Sequence, residues 1–385
     1  MNNMKHTKNS KQMKILQLGK FYPIRGGVEK LEYDLCEGIS ERGIRCDMLC
    51  ASAGCEQPVV RLNENSSVYV CRSWFTMLST KISPDMIVQL RKMAANYDII
   101  HIHHPDPMAG LALRLSGYKG KVVLHWHSDI LAQKRALVFY RPLQEWLIKR
   151  ADVIIGTSPK YISESSDLEN GRNKCVAIPL GTIPATPVGE DEIKAFRDQI
   201  GAKKIIFSLG RLVEYKGFKH LIEAFKYLPE DYKCIIGGEG PLEQSLKQMV
   251  WDQKMTDRII FTGRIESEKL PLYYASCDAF CVSSIWKTEA FAWVLIEAMS
   301  YGKPCVATKI PGSGVSWVNA DGVSGINVNT EDAEDLAWGI LTVFESDNYA
   351  KFAQNAYERY CSLFTREGMV DSCLKEYEKL LTEDI

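Results

Sequence analysis

The chain has no hydrophobic run near the length of a membrane span; nowhere do about 18 apolar residues follow one another. Its start, Met1 to Met13, is polar and basic and leads into no apolar stretch, so export is not expected. No C-x2-C pair occurs among the 12 cysteines. Cys46/Cys50 and Cys277/Cys281 are separated by three residues, a spacing that disfavours zinc. Reduced, buried thiols in a cytoplasmic protein are the expectation. The dinucleotide fingerprint G-x-G-x-x-G is missing, and so is the phosphate loop G-x4-G-K-[ST], which disfavours nucleotide hydrolysis of that type. There is no low-complexity segment and no repeat of solenoid length. With 46% hydrophobic and 25% charged residues, the composition excludes disorder, collagen-like repeats and coiled coil.

What is present is 385 residues, enough for two domains. Net charge is −1 but unevenly spread. Residues 1–183 hold 25 Lys+Arg against 17 Asp+Glu; the remainder holds 22 against 31. A basic half beside an acidic half argues against a nucleic-acid binder. It suits a first half that meets a phosphate or an anionic membrane surface. Short apolar runs alternate with helical patterns almost throughout. One series runs from Lys14–Leu18 to Val176–Ile178, and a second from Ile205–Leu209 to Gly325–Val328. Strands alternating with helices read as α/β, with parallel sheets covered on both faces. The expected architecture is two doubly wound domains, 1–183 and 184–365, with 366–385 helical beyond them. The stretch Gly181–Val188, with Pro184 and Pro187, reads as the linker and hinge. In such sheets ligands bind beyond the carboxyl ends of the strands.

Five segments sit at strand ends. Pro23-Ile24-Arg25-Gly26-Gly27-Val28-Glu29 follows the first strand; Gly26 and Gly27 permit close approach to an anion at a helix start. His101-Ile102-His103-His104 and His125-Trp126-His127 gather five of the 7 histidines. Such loops could hold a metal, but a strand histidine is more often a satisfied core residue; His127 is the functional candidate. His125 and His127 share a face only if their strand continues. Gly210-Arg211-Leu212 with Lys216-Gly217 offers a guanidinium fork and a point charge, which suit a diphosphate. Ile236-Gly237-Gly238-Glu239-Gly240-Pro241 is a strand and glycine turn, weak alone. In Ser283–Met299, Glu289 and Glu297 are eight apart, which places Glu289 in the loop and Glu297 in the helix beyond it. The apolar neighbours of Glu297 imply a buried carboxylate in need of a partner. Vicinal ligand hydroxyls would serve, as would a Lys or Arg.

Together, P-x-x-G-G-x-E, G-R-L-x-x-x-K-G, G-x-G-P and the E-x7-E block before Ala298-Met299-Ser300-Tyr301-Gly302-Lys303-Pro304 resemble the retaining glycosyltransferases of family 4. The resemblance implies a GT-B fold, two Rossmann-like domains facing across a cleft, with the C-terminal helix 366–385 packing back on the first. It implies Arg211 and Lys216 on the donor diphosphate, with Gly26, Gly27 and the backbone of Phe291, Ala292 and Trp293. Glu297 would bind the ribose, Arg264 and Ile265 the base, and His127 and Glu289 the donor sugar as catalytic residues. There is no literal D-x-D, so no metal cofactor is expected, and the cationic pair would stand in for one. The family glycine after phenylalanine is Ala292, which suggests a less close backbone approach. Gly181-Thr182-Ile183 and Ile310-Pro311-Gly312-Ser313-Gly314 also depart from the family pattern. His-Trp-His-Ser-Asp and Gly-Ser-Gly-Val-Ser-Trp look like a subgroup making bacterial surface polysaccharides, mannosyl- and rhamnosyltransferases among them. The expected reaction moves a hexose, GDP-mannose favoured, to a lipid-linked glycan such as O-antigen at the cytoplasmic face. UDP-sugar transferases and, further off, nucleotide-sugar epimerases are the alternatives. The basic cluster Lys134, Arg135, Arg141, Lys149 and Arg150 would sit on anionic lipid, or be ordinary solvated charge.

Overall fold

A computed structural model describes residues 13–382 apart from 20–26, 53, 55–56, 78–79 and 131–133. The chain divides into two compact units. The first is Met1–Gly156 with Asp167–Val176 and Val370–Ile385; the second is Thr157–Ser166 with Ala177–Met369. The expected breaks at 183/184 and 365/366 therefore lie inside the second unit. Backbone bonds explain why: Thr182 N–H donates to Phe364 O at 2.9 Å, and Arg366 N–H donates to Thr182 O at 2.9 Å. Gly181 is pressed so close to Thr365 that a Cβ would lie 2.3 Å from its carbonyl oxygen.

The first unit is built on strands β1 (Lys14–Leu18), β2 (Arg45–Ser52), β3 (Val59–Asn63), β4 (Ser66–Arg72), β7 (Ile99–His104), β8 (Lys121–Trp126), β9 (Val153–Gly156) and β10 (Cys175–Ala177). Their spatial order is β10-β9-β8-β7-β1-β2-β4-β3. Each pairing from β4 through β2, β1, β7 and β8 to β9 is parallel, and β3 adds antiparallel at the edge. A separate hairpin joins β5 (Phe75–Met77) to β6 (Thr80–Ile82). The sequence pattern misses β3 and this hairpin; their burial is intermediate to exposed, so no apolar run marks them. Three helices begin on the same device, a capping Ser or Asp followed by Pro. They start at Ser83-Pro84, Asp106-Pro107 and Ser158-Pro159; Asp106 accepts from the N–H of Met108 and Ala109, both at 3.0 Å.

The second unit is a six-stranded sheet of β11 (Lys204–Leu209), β12 (Tyr232–Gly237), β13 (Ile259–Gly263), β14 (Ala279–Val282), β15 (Cys305–Thr308) and β16 (Gly325–Val328). All are parallel, in the order β13-β12-β11-β14-β15-β16. That is the dinucleotide-fold order, whose direction of winding reverses between β11 and β14. Ile206, Leu221, Phe225, Val306 and Ile340 are fully buried in its core. The core strands have near-continuous apolar sequences because helices cover both faces. Every cysteine among the described residues carries a free thiol, and all but Cys175 and Cys361 are buried.

Candidate active site

In the second unit the loops beyond the carboxyl ends of β11, β12, β13 and β14 are laced together by backbone bonds. Gly210 N–H donates to Gly237 O at 3.0 Å, Gly238 N–H to Gly263 O at 2.7 Å, and Ile285 N–H to Tyr215 O at 2.8 Å. Two glycines make this approach possible. At Gly217, with φ +64°, a Cβ would lie 2.1 Å from Ser283 O; at Gly238, with φ +120°, it would lie 2.0 Å from Gly210 O. No L side chain fits either position.

This lacing brings Lys216 to Glu289. The Lys216 ammonium and the Glu289 carboxylate form an ion pair, and Ser284 Oγ donates to the same carboxylate at 2.9 Å. Burial alone would push the Lys216 ammonium down, but Glu289 and the nearby Tyr215 outweigh it, and its pKa is held above the ordinary lysine value. Lys216 is therefore a permanent cation. Arg211 is exposed, and its guanidinium has no hydrogen bond or ion pair among the described residues. Phe291 and Ala292 are buried, while Trp293 is half-buried and begins the helix Trp293–Ser300. Ala292 caps that helix with φ +61° and ψ 72°, and no side chain caps it. The backbone thus takes the left-handed form that favours glycine despite the Cβ. Glu297 is half-buried rather than buried. Tyr274 O–H donates to its carboxylate at 2.8 Å. Burial, followed by that carboxylate, holds the Tyr274 hydroxyl well above the ordinary tyrosine range, so it stays a donor. Arg264 is exposed and Ile265 half-buried, immediately after Gly263 at the end of β13.

The loop after β15 supports Glu289 from behind, a role the sequence does not announce. Ser313 Oγ donates to the Glu289 carbonyl, and Gly314 N–H donates to Ala290 O at 2.9 Å. A Cβ on Gly314 would lie 2.7 Å from that oxygen. The departure Gly312-Ser313-Gly314 is thus a brace for the Glu289 loop.

In the first unit, Gly27 heads the helix Gly27–Glu41, exposed, with open space where a Cβ would sit. Gly26 lies outside the described residues, as do the side chains of Lys134 and Arg135. His127 follows β8, and its N–H donates to His104 O at 3.0 Å, so the ladder runs one residue past the strand. His101, His103, His125 and His127 consequently share a face, all buried. His103 Nδ1 lies 2.9 Å from His127 Nε2, and His103 Nε2 lies 2.9 Å from Gln17 Oε1. His101 Nδ1 bonds the Tyr377 hydroxyl, brought in by the last helix, Arg366–Thr382. Among the described residues, one group could gather on a metal: His101, His103 and His125, with ligand nitrogens within 4.8 Å of one another. Both nitrogens of His103 are already engaged and no carboxylate joins the group, so a metal would have to dismantle this network.

Residues 190–359 match the family model described as Glycosyl transferases group 1, and residues 25–184 the one described as Glycosyltransferase Family 4. D-rhamnosyltransferase WbpZ of Pseudomonas aeruginosa is 30% identical over 92% of each chain. The chain is a family 4 glycosyltransferase. O-antigen chain mannosyltransferase C of Escherichia coli is 28% identical over 96% of this chain and 99% of its own length. Sucrose-phosphate synthase of Thermosynechococcus elongatus has the same fold, with a TM-score of 0.79 at 21% identity, covering 96% of this chain and 100% of that one. The two sheets of this glycosyltransferase are thus the two Rossmann-like sheets of GT-B. Sequence reasoning missed Gln17, His103, Tyr274 and Ser313 as partners of site residues. The only advance signal was that Ser313 and the histidines stood inside quoted motifs.

Proposed function

We propose that this glycosyltransferase moves a hexose, with retention, from a nucleotide-sugar to a lipid-linked glycan in bacterial surface polysaccharide synthesis. GDP-mannose is the favoured donor. The names of the two relatives, an O-antigen mannosyltransferase and a D-rhamnosyltransferase, support the product class. The observation that carries the reaction type is the Lys216–Glu289 pair at the end of β11 and β14, with the exposed cation Arg211 in the same loop as Lys216.

Breaking the sugar–phosphate bond builds negative charge on the diphosphate and positive charge on the sugar. Arg211 and Lys216 stabilise the first, together with the uncapped amides of the helix that starts at Trp293. Glu289, held by Lys216 and Ser284, is a fixed carboxylate that orients donor hydroxyls and favours positive charge at the sugar. Glu297 accepts from the ribose diol while Tyr274 fixes its other side. Arg264 and Ile265 meet the base. The leaving phosphate takes the acceptor's proton on the face where the new bond forms. The cations of the chain do the work a bridging metal would do, and no metal cofactor is invoked.

No helix among the described residues is long and apolar enough to cross a membrane. Peripheral contact on the inner face of the cytoplasmic membrane is supported by the helix Lys134–Arg150, where Val138 and Phe139 are 69% and 88% exposed beside the exposed Arg141. Apolar tips flanked by basic residues suit an anionic lipid surface. The native protein should sediment with anionic vesicles at low salt and Phe139→Ser should not; no sedimentation of the native protein would overturn the contact.

The test of the reaction is donor turnover by mass spectrometry. GDP-mannose and a panel of UDP- and dTDP-sugars are run with EDTA, with and without a diphospholipid-linked sugar. Acceptor-dependent GDP release and a product one hexose heavier are expected, with Glu289→Gln slowed about 100-fold. Consumption of a UDP-sugar alone would overturn the donor, and an isomerised donor without acceptor would overturn transfer.

A further inference from the structure

The polar network beneath His127 is closed enough to fix its proton positions. Gln17 reaches His103 with its amide oxygen at 2.9 Å, while its amide nitrogen faces the Cys46 thiol at 3.8 Å and the Tyr377 hydroxyl. Burial holds Tyr377 well above the ordinary tyrosine range, so its proton stays on, and its hydroxyl bonds His101 Nδ1. The Tyr377 oxygen is then the natural acceptor for the Gln17 amide N–H, which orients the amide. An amide oxygen only accepts, so His103 Nε2 must carry hydrogen. Burial first, and after it the three neighbouring histidines, holds the pKa of His103 well below the ordinary value, and it is neutral. A neutral imidazole with hydrogen on Nε2 has its lone pair on Nδ1. The only donor His127 can offer at 2.9 Å is therefore its own Nε2–H.

We propose that Gln17 and His103 are positioning residues that lock His127 in the Nε2–H tautomer and leave the lone pair on Nδ1. The two rings lie within 2° of parallel, and His103 is stacked between its neighbours on β7 and β8. The relay is therefore rigid as well as directional. Its last step rests on the sugar-transfer reading. There, Nδ1 of His127 in this tautomer accepts from a donor-sugar hydroxyl. A hydrogen-bond acceptor held in one orientation discriminates for a hydroxyl and against its deoxy counterpart.

Nitrogen-15 spectra of the full chain with labelled histidine report tautomers directly, independent of any reaction. The Nε2–H form of His127 is expected in the native protein and in His103→Asn, whose amide oxygen can replace Nδ1 as acceptor. A mixture of forms is expected in His103→Leu, and in Gln17→Leu should His103→Leu not fold. Turnover of His103→Leu should fall about tenfold with little change in donor KM, and His103→Asn should recover most of it. A native His127 in the Nδ1–H form, or a His103→Leu protein with tautomer and turnover unchanged, would overturn the relay. Absence of hexose transfer by the native protein would instead count against the proposed function, and the spectra alone would then decide the relay.

Discussion

Ala292 shows how far one residue can be read. Its place in the motif was plain from the sequence, and so was its departure from the family glycine. The consequence was not, because an alanine carries no mark of its own backbone angles. At φ +61° an L residue pays roughly 1–2 kcal/mol in contact between Cβ and the following carbonyl. Glycine would relieve that strain while adding about 0.4–1 kcal/mol of freedom to the unfolded chain. Ala292→Gly should leave stability unchanged or raise it by up to about 1.5 kcal/mol, whereas Ala→Gly at an ordinary position lowers it. Chemical denaturation would check this; a loss above about 1 kcal/mol would mean that the Ala292 methyl supports the buried packing beside Phe291. The partners of Glu289 and Glu297 were less legible. Ser284, Ser313 and Tyr274 reach them across 5, 24 and 23 positions, the last two from separate elements that meet only in the folded unit.

At the scale of the element, β7 and β8 were visible as strands, and their alternation put His101 with His103 and His125 with His127. Which pairs with which depends on register, and the structure sets His103 opposite His125. The outcome is a buried face of four histidines rather than four separately satisfied core residues, and His125 has no hydrogen-bond partner for either ring nitrogen among the described residues. This carries an acid liability. Burial, with neighbouring histidines adding to it, holds His101 and His103 well below 6.5, and burial brings His125 down to about 3. Lowered folded values mean that the unfolded chain takes up protons first. Stability is therefore whole above about pH 6.5 and falls as pH drops below it toward those values. Three such groups remove roughly 4 kcal/mol per pH unit. Melting followed from pH 7 to 5.5 should show a steep decline, and His125→Phe should shrink the slope by about one proton. A flat profile would mean that these rings are protonated and paired in the folded protein.

For the whole molecule, two wound sheets were legible because parallel strands buried on both faces have continuous apolar sequences. What stayed hidden was the other exchanged segment, since nothing local tells Thr157–Ser166 that it belongs to the second unit, while Val370–Ile385 belongs to the first. The burial of Val370, Cys373 and Tyr377 within the first unit makes the consequence specific. Tyr377 is fully buried against His101, at a ring separation of 5.8 Å and edge-on at 85°. Truncating it to alanine opens a cavity the size of a phenol and strands a ring nitrogen, a cost of roughly 3–5 kcal/mol. Tyr377→Phe keeps the ring and loses only the hydroxyl, about 1–2 kcal/mol. The unit that should weaken is the one holding β1, β7 and β8, hundreds of residues earlier in sequence. Hydrogen exchange resolves the two sheets: amides of β7 and β8 should lose protection in Tyr377→Ala while those of β11 and β12 keep theirs. If β11 and β12 lost protection equally, the two units would unfold as one cooperative body, and the last helix would be a fastening for the whole chain instead of a part of the first sheet's core.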